Sequence, residues 1–318
     1  MLSQLVRRLI GLCATLFAAS VIVFVLVDLL PGDAASLILG VDARPDTLAA
    51  LRAELGTDRP PLERYLGWVG GIAVGDFGTS YTYGQPVSGL IAERLELSLP
   101  LACGAIVLST LLAIPLGVVA AANHRRAGDY GIMAITQVGV AIPNFWLGLM
   151  LIMLFATGLG LLPAGRFPGW AAGFWPGIEA LVLPVVALAL PQAAILARVV
   201  RSAVLEVLGE MYVRTARAKG LPWPRVLLGH ALRNAMIPIV TIIGLQLSFL
   251  VASAIVIEGV FNLPGLGGLI LGAIRNRDLI VVQGAVLLLA AMVILVNFLV
   301  DAAYLLLDPR IRAAGHGH

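Results

Sequence analysis

Charge is scarce in this 318-residue chain. Asp, Glu, Lys and Arg together make up 12% of it against 60% apolar residues; cysteine occurs twice, histidine four times, and lysine once, as Lys219. Each shortage removes a class of function. Cys13 and Cys103 lie in separate apolar runs with no CxxC and no neighbouring histidine, which argues against a disulfide framework or a cysteine-based metal site. Lys219 is followed by Gly220 rather than Ser or Thr, so the chain has no Walker A loop to cradle phosphates. If ATP drives this protein, another polypeptide hydrolyses it. There is no HExxH and no GxSxG, and no cluster of carboxylates or histidines at membrane depth. A membrane-embedded protease or a proton relay therefore has little to stand on. His316 and His318 sit in a Gly-interleaved tail, either a weak metal binder or a plain chain end.

What the chain does have is uninterrupted apolar sequence, with a mean hydropathy of +0.98. Six runs, at about 9–30, 97–122, 132–162, 178–200, 236–257 and 279–307, are long enough to cross a hydrocarbon core of roughly 30 Å at about 1.5 Å per residue. The third exceeds one span and must tilt or end early. None alternates as a barrel strand does, and in lipid only helices or closed barrels satisfy their own backbone. The expectation is an all-α polytopic membrane protein with six transmembrane helices. Pro100, Pro115, Pro143, Pro184, Pro191 and Pro238 fall inside these runs and predict kinks. Arg7 and Arg8 before the first run also suit a signal peptide, but about 22 apolar residues is too long for an h-region of roughly 7 to 15, so the first span is retained.

Arginine placement predicts orientation. With the N-terminus inside, Arg7, Arg8, Arg125, Arg126, Arg198, Arg201, Arg214, Arg217, Lys219, Arg225, Arg233, Arg310 and Arg312 share the cytoplasmic side. Most of the outer arginines fall in one long segment, where the positive-inside count carries little weight. Both termini are expected in the cytoplasm. Residues 1–31 then form the N-terminal helix, 32–96 an extracytoplasmic cap, 97–310 a five-helix core containing a cytoplasmic loop at 201–236, and 311–318 a tail. The cap holds a helical stretch at 47–55, Pro60 and Pro61, and the patch VGDFGTSYTYGQP. It reads equally as a docking surface and as a structural lid.

Few ionisable groups lie near the spans. Asp28, Glu258 and Asp301 are each within a turn or two of a predicted boundary, where snorkelling or helix capping accounts for them. Gln246 and Ser253, seven residues apart on the fifth run, share a helix face that suits either an aqueous translocation path or interhelical hydrogen bonding. The loop after the fourth run is richer. Val204, Leu205, Leu208, Met211, Tyr212 and Ala216 recur at helical spacing opposite Glu206, Glu210, Arg214 and Arg217, predicting one amphipathic helix over 203–219. Gly220, Pro222 and Pro224 then break the chain, and 225–234 predicts a second short helix. Physics alone allows such a basic pair to lie on anionic lipid or to protrude as a knob.

The run RTARAKG from Arg214 to Gly220, followed by HALRNAMIP from His230 to Pro238, resembles the EAA loop of ABC importer permeases in the form used by their dipeptide, oligopeptide and nickel branch. Ala216, Gly220 and Leu232 fall on the motif's second Ala, its Gly and its later Leu. Arg214, Thr215, His230 and Arg233 replace its Glu, first Ala, Ile and Pro, as in the peptide branch. The resemblance continues through RRL and LPGD near the N-terminus, GDFGTS at Gly75 to Ser80, AIPNFWLG at Ala141 to Gly148, EGVFNLPGLG at Glu258 to Gly267, and NFLVDAAYLLLDPRIR at Asn297 to Arg312.

This resemblance implies the type I ABC importer permease fold and a pore-forming subunit in a bacterial inner membrane. Its implied partners are a homologous second permease, two cytoplasmic ABC ATPases, an extracytoplasmic solute-binding protein, membrane lipids and a dipeptide or oligopeptide substrate, with glutathione or a nickel chelate as alternatives. ATP and magnesium would bind the ATPases, and no cofactor, catalytic site or nucleic-acid partner is expected for this chain. The coupling residues it implies are Leu208, Tyr212, Arg214, Ala216, Arg217, Lys219, Gly220 and Leu221. A secondary transporter or channel is the competing class, and the inverted repeats or midplane charges it calls for are not found in the sequence.

Overall fold

The computed structural model describes residues 2–29, 35, 39 and 44–307. Its elements are helical, and the described residues contain no strand, only an isolated bridge between Thr79 and Pro86. In chain order the α-helices are α1 (Leu2–Asp28), α2 (Pro45–Leu55), α3 (Pro61–Ala73), α4 (Val87–Ala122), α5 (Ala127–Ala141), α6 (Asn144–Leu151), α7 (Phe174–Leu208), α8 (Met211–Ala218), α9 (Trp223–Val260), α10 (Leu266–Arg275) and α11 (Leu279–Leu307). Among the described residues five are long and apolar enough to span a bilayer, and a bent pair makes a sixth if it counts as one broken span.

That pair is the third apolar run. It does not tilt as one helix: α5 and the helix that follows it meet at 96°. Pro143 explains the break, because its ring drives Ile142 out of the helical region to φ −80°, ψ 122°. Beyond α6 the backbone widens into a π-helix at Ile152–Gly158. Pro100, Pro115, Pro184, Pro191 and Pro238 lie inside continuous helices.

Several helices overshoot the apolar windows. α4 begins ten residues before the expected span, and α7 runs to Leu208. The expected helix at 47–55 begins at Pro45, while Pro60 and Pro61 initiate α3 instead of merely breaking the chain. Proline suits a first helical turn, whose N–H groups have no intrahelical partner.

The residues cluster into two compact units, one built mainly on Leu99–Leu263 with the chain from Leu295, the other on Arg7–Ser98 and Pro264–Ile294. In the first, Ala113, Ala121, Ala193, Ala197, Ala203, Ala231 and Ala235 pack with Leu196, Val200 and Ile239. Small residues let backbones approach, which is how helices associate where lipid removes the hydrophobic drive between them. Gly117 marks one such close approach: an added Cβ would stand 2.5 Å from the Val200 Cβ and 2.6 Å from the Ala197 carbonyl oxygen.

In the second unit, Val87, Leu90, Ile91, Leu266, Ile270, Val281 and Ala285 form the core. The GDFGTS patch is tied to this unit through Asp278, which is 1% exposed. Its carboxylate accepts from the Ser80 hydroxyl at 2.5 Å and the Thr82 N–H at 3.0 Å, and caps α11 through the Val281 N–H. Burial, with the Asp278 charge second, raises the pKa of the adjacent Tyr81 phenol, opposed by Arg64. Asp28 and Arg64 form an ion pair that joins α1 to α3, with Ser20 and Tyr65 hydrogen-bonded at 2.8 Å beside it.

Candidate functional site

The loop between the fourth and fifth spans folds as a projection standing on the first unit's core. α7 ends at Leu208, and Gly209 closes its last turn through hydrogen bonds to the Leu205 and Glu206 carbonyls. Glu210 is extended, and α8 then starts afresh at Met211. The amphipathic helix expected over 203–219 is therefore two helices.

α8 is sided by its spacing. Val213 and Ala216, three residues apart, are buried, while Met211 (71% exposed), Tyr212, Arg214, Thr215, Arg217 and Lys219 face outward. Its C-terminus is a Schellman closure: the Gly220 N–H donates to the Arg217 carbonyl at 2.9 Å, and the Leu221 N–H to the Ala216 carbonyl at 3.4 Å. This requires Gly220 at φ +82°, and since no atom lies within 4 Å of a Cβ built there, backbone handedness alone selects glycine. Pro222 then leads into α9, where Trp223 lies under the Arg217 guanidinium at 5.1 Å. The short helix expected at 225–234 is not separate. It is the head of α9, passing through a π-helical stretch at Val226–Leu232 into the fifth span.

The eight sequence-predicted loop residues thus divide. Tyr212, Arg214, Arg217, Lys219 and Gly220 share the exposed surface, whereas Ala216 is buried and Leu208 and Leu221 are half-buried. Met211, Trp223 and Leu228 supply exposed apolar area instead. Of the two pathway candidates, Gln246 is buried and its amide donates to the Gln192 carbonyl of α7 at 3.0 Å, while its Oε1 has no protein partner. Ser253 is half-buried.

Beneath the projection lies a cluster that sequence reasoning missed. Asp129, 1% exposed in the first turn of α5, is gripped by Arg201 near the end of α7 through Nε–Oδ1 at 2.5 Å and Nη2–Oδ2 at 2.7 Å. It also accepts from the Arg125 N–H at 3.0 Å, and His124 Nδ1 stands 3.4 Å away. The two-pronged geometry fixes both helix ends more firmly than a single contact would. The available signal was a lone acid in the basic flank HRRAGDYG. Among the described residues no group of His, Cys, Asp and Glu could hold a metal ion.

Family and structural comparisons agree with this architecture. Residues 113–313 match the model of the binding-protein-dependent transport system inner membrane component, and residues 1–102 match the N-terminal model of the same system. The chain is 39% identical over 312 residues to a putative peptide transport system permease protein of Brucella abortus (strain 2308), covering 98% of this chain and 99% of the relative. Identity and coverage are the same for the glutathione transport system permease protein GsiC of Escherichia coli (strain K12). Among solved structures it is similar in fold to a chain of the inward-facing MetNI methionine ABC transporter, with a TM-score of 0.56 at 19% identity over 69% of this chain and 97% of that one. An amino acid ABC transporter crystallised with histidines gives 0.52 at 15% identity over 70% and 94%. Full-length relatives, both family models and a shared helical fold converge: the chain belongs to the binding-protein-dependent transport system inner membrane components and is a pore-forming subunit of an ABC importer.

Proposed function

We propose that this subunit imports short peptides across a bacterial inner membrane by alternating access, with the α8 projection passing the motion of a cytoplasmic ATPase to the bundle. The observation that carries the reading is the projection itself: a basic outer face on a helix whose inner face, Val213 and Ala216, is anchored in the core. A push on Tyr212 or Arg214 is then delivered to α7 and α9 rather than lost in a mobile loop. Both termini and the projection lie on the cytoplasmic side in this reading, supported by the arginines at 125, 126, 198, 201, 214 and 217. The working assembly has a second, homologous permease, two ATPases that bind ATP and magnesium, and a solute-binding protein outside. This chain performs no bond chemistry of its own.

Dipeptides or oligopeptides are the favoured cargo because relatives that align end to end are named peptide permeases. Glutathione is the second reading, favoured by the equal identity of the GsiC permease. Reconstitution of the assembled transporter in proteoliposomes tests the proposal. Gly220→Val forces a β-branched residue into a left-handed conformation that costs roughly 1–2 kcal/mol, so labelled dipeptide taken up per ATP hydrolysed should fall while membrane insertion persists. Wild-type uptake per ATP in that variant overturns the coupling role. Uptake of glutathione with no competition from dipeptides moves the cargo to the second reading.

A further inference from the structure

Within the second unit, α1 supplies a depth scale for the residues packed on it. It is apolar over Val6–Asp28 with little of its length buried, Arg7 and Arg8 mark one end, and Asp28 marks the other. α3 leans on this span with three side chains. Arg64 pairs with Asp28 at the end, and Trp68 stands against Phe24 with ring centroids 6.1 Å apart. Tyr65 meets Phe24 at 5.4 Å and Phe17 at 6.4 Å, and its hydroxyl shares a 2.8 Å hydrogen bond with Ser20. At about 1.5 Å per residue, Ser20 lies about 12 Å further into the span than Asp28. The Tyr65 hydroxyl therefore sits within the apolar run, not above it.

At about 100° per residue, Arg64, Trp68, Tyr65, Val69, Leu62 and Leu66 succeed one another around α3. The first three descend α1 in that same order, from Asp28 through Phe24 to Ser20, so continuing the turn carries Val69, Leu62 and Leu66 to the side that faces the bilayer interior. Leu62, Leu66, Val69 and Ala73 recur at the spacing of a single stripe, with Glu63, Gly67 and Gly70 on another flank. Protein leaves the stripe bare: Leu62 is 68% exposed and Leu66 60%, and α1 exposes Ile22 and Leu26 over the same depths. We infer that α3 is a monotopic helix seated in the membrane interface at the Asp28 end of α1, with Leu62, Leu66 and Val69 among lipid acyl chains and Glu63, Gly67 and Gly70 turned to water. A water-borne partner fits the stripe poorly, because it would have to pass below the level of the Arg64–Asp28 pair. Lipid is then the partner of this part of the cap, and α3 pins the outer segment to the membrane plane. The inference goes beyond the transport reading and needs only that α1 spans the bilayer.

Site-directed spin labelling of the full-length chain in phosphatidylcholine vesicles tests it, with Cys13 and Cys103 first replaced by serine. Leu62→Cys, Leu66→Cys, Glu63→Cys and Gly67→Cys each carry one nitroxide; an added Cβ at Gly67 meets no atom within 4 Å. For labels replacing Leu62 and Leu66, collisions with lipid-soluble oxygen should exceed those with a water-soluble chromium complex, at a depth of about 5–10 Å below the headgroups. The order should reverse for labels replacing Glu63 and Gly67, and the pattern should persist once the second permease and the ATPases are added. Collisions dominated by chromium at the two leucine positions put the stripe in water and overturn the inference. Collisions dominated by oxygen at all four positions also overturn it, since the helix then lies wholly within hydrocarbon. So does exclusion of both reagents from the leucine positions, alone or in the assembled transporter, because protein then covers the stripe. A thermal melt verifies the folding of each variant, and either member of each pair suffices, since both leucines report the stripe and Glu63 and Gly67 the opposite flank. Uptake is not read here, so failure of the interfacial seat leaves the transport reading standing, and a transporter that moves no peptide leaves the lipid contact testable.

Discussion

Asp129 carries a full charge at 1% exposure, and that charge is tolerable only because Arg201, a backbone N–H and His124 surround it. Breaking a buried pair from one side leaves an uncompensated charge, which costs about 3–5 kcal/mol, whereas replacing both partners costs much less. Arg201 is partly exposed, so the lower end of that range applies. Arg201→Gln should therefore lower the melting temperature of the detergent-solubilised protein, and Asp129→Asn combined with Arg201→Gln should recover part of the loss. A double variant that melts lower than Arg201→Gln alone would show that the pair does not act as a unit. The two residues are 72 positions apart in sequence, which explains why composition and spacing did not reveal them. Asp278 and Ser80, 198 positions apart, were hidden for the same reason. Gly220 was legible because its constraint is local: a helix end, an αL position and two hydrogen bonds within five residues.

Helices were legible where hydrophobicity alone defines them and less so where polar turns extend them. The apolar window places the last helix at its observed bounds, since α11 is apolar over most of its length. It misses the first ten residues of α4, where Glu93, Arg94 and Glu96 continue the helix outside the apolar stretch. Pro143 and Pro115 both follow an isoleucine, yet one breaks a span and the other sits inside a helix. Neighbouring helices decide which proline bends the backbone, and a single window contains no neighbours. The α4 and α7 crossing turns on another such neighbour. Gly117 lies too close to Val200 and the Ala197 carbonyl for any side chain, so Gly117→Leu must push two spans apart just below the projection. Overpacking of this kind costs typically about 1–3 kcal/mol. The expected outcome is a lower melting temperature with reduced coupled uptake, while Gly131→Leu, where a Cβ meets nothing within 4 Å, leaves both unchanged. Equal behaviour of the two variants would remove Gly117 from the packing argument.

Among the described residues, many exposed apolar side chains lie on the spans, including Val107, Leu111, Ile135, Val138 and Phe249, where lipid can cover them. The α8 projection differs in mixing two kinds of surface: cations at Arg214, Arg217 and Lys219, and apolar area at Met211 and Tyr212. In the ATPase contact proposed above, these act on different stages of the encounter. Charges at a rim chiefly set how fast partners meet, and salt shortens their reach from about 10 Å at 0.1 M to about 3 Å at 1 M. Buried aromatic anchors set how long partners stay, and truncating one that acts as a hot spot costs upward of about 2 kcal/mol. With the transporter in nanodiscs and the ATPase in solution, Arg214→Glu should slow association at low salt and change little at high salt. Tyr212→Ala should instead speed dissociation by tenfold or more, about 1.4 kcal/mol per decade, at either ionic strength. If both substitutions change only the association rate, the contact is electrostatic steering without an anchored interface, and the force delivered to Val213 and Ala216 must enter the bundle elsewhere.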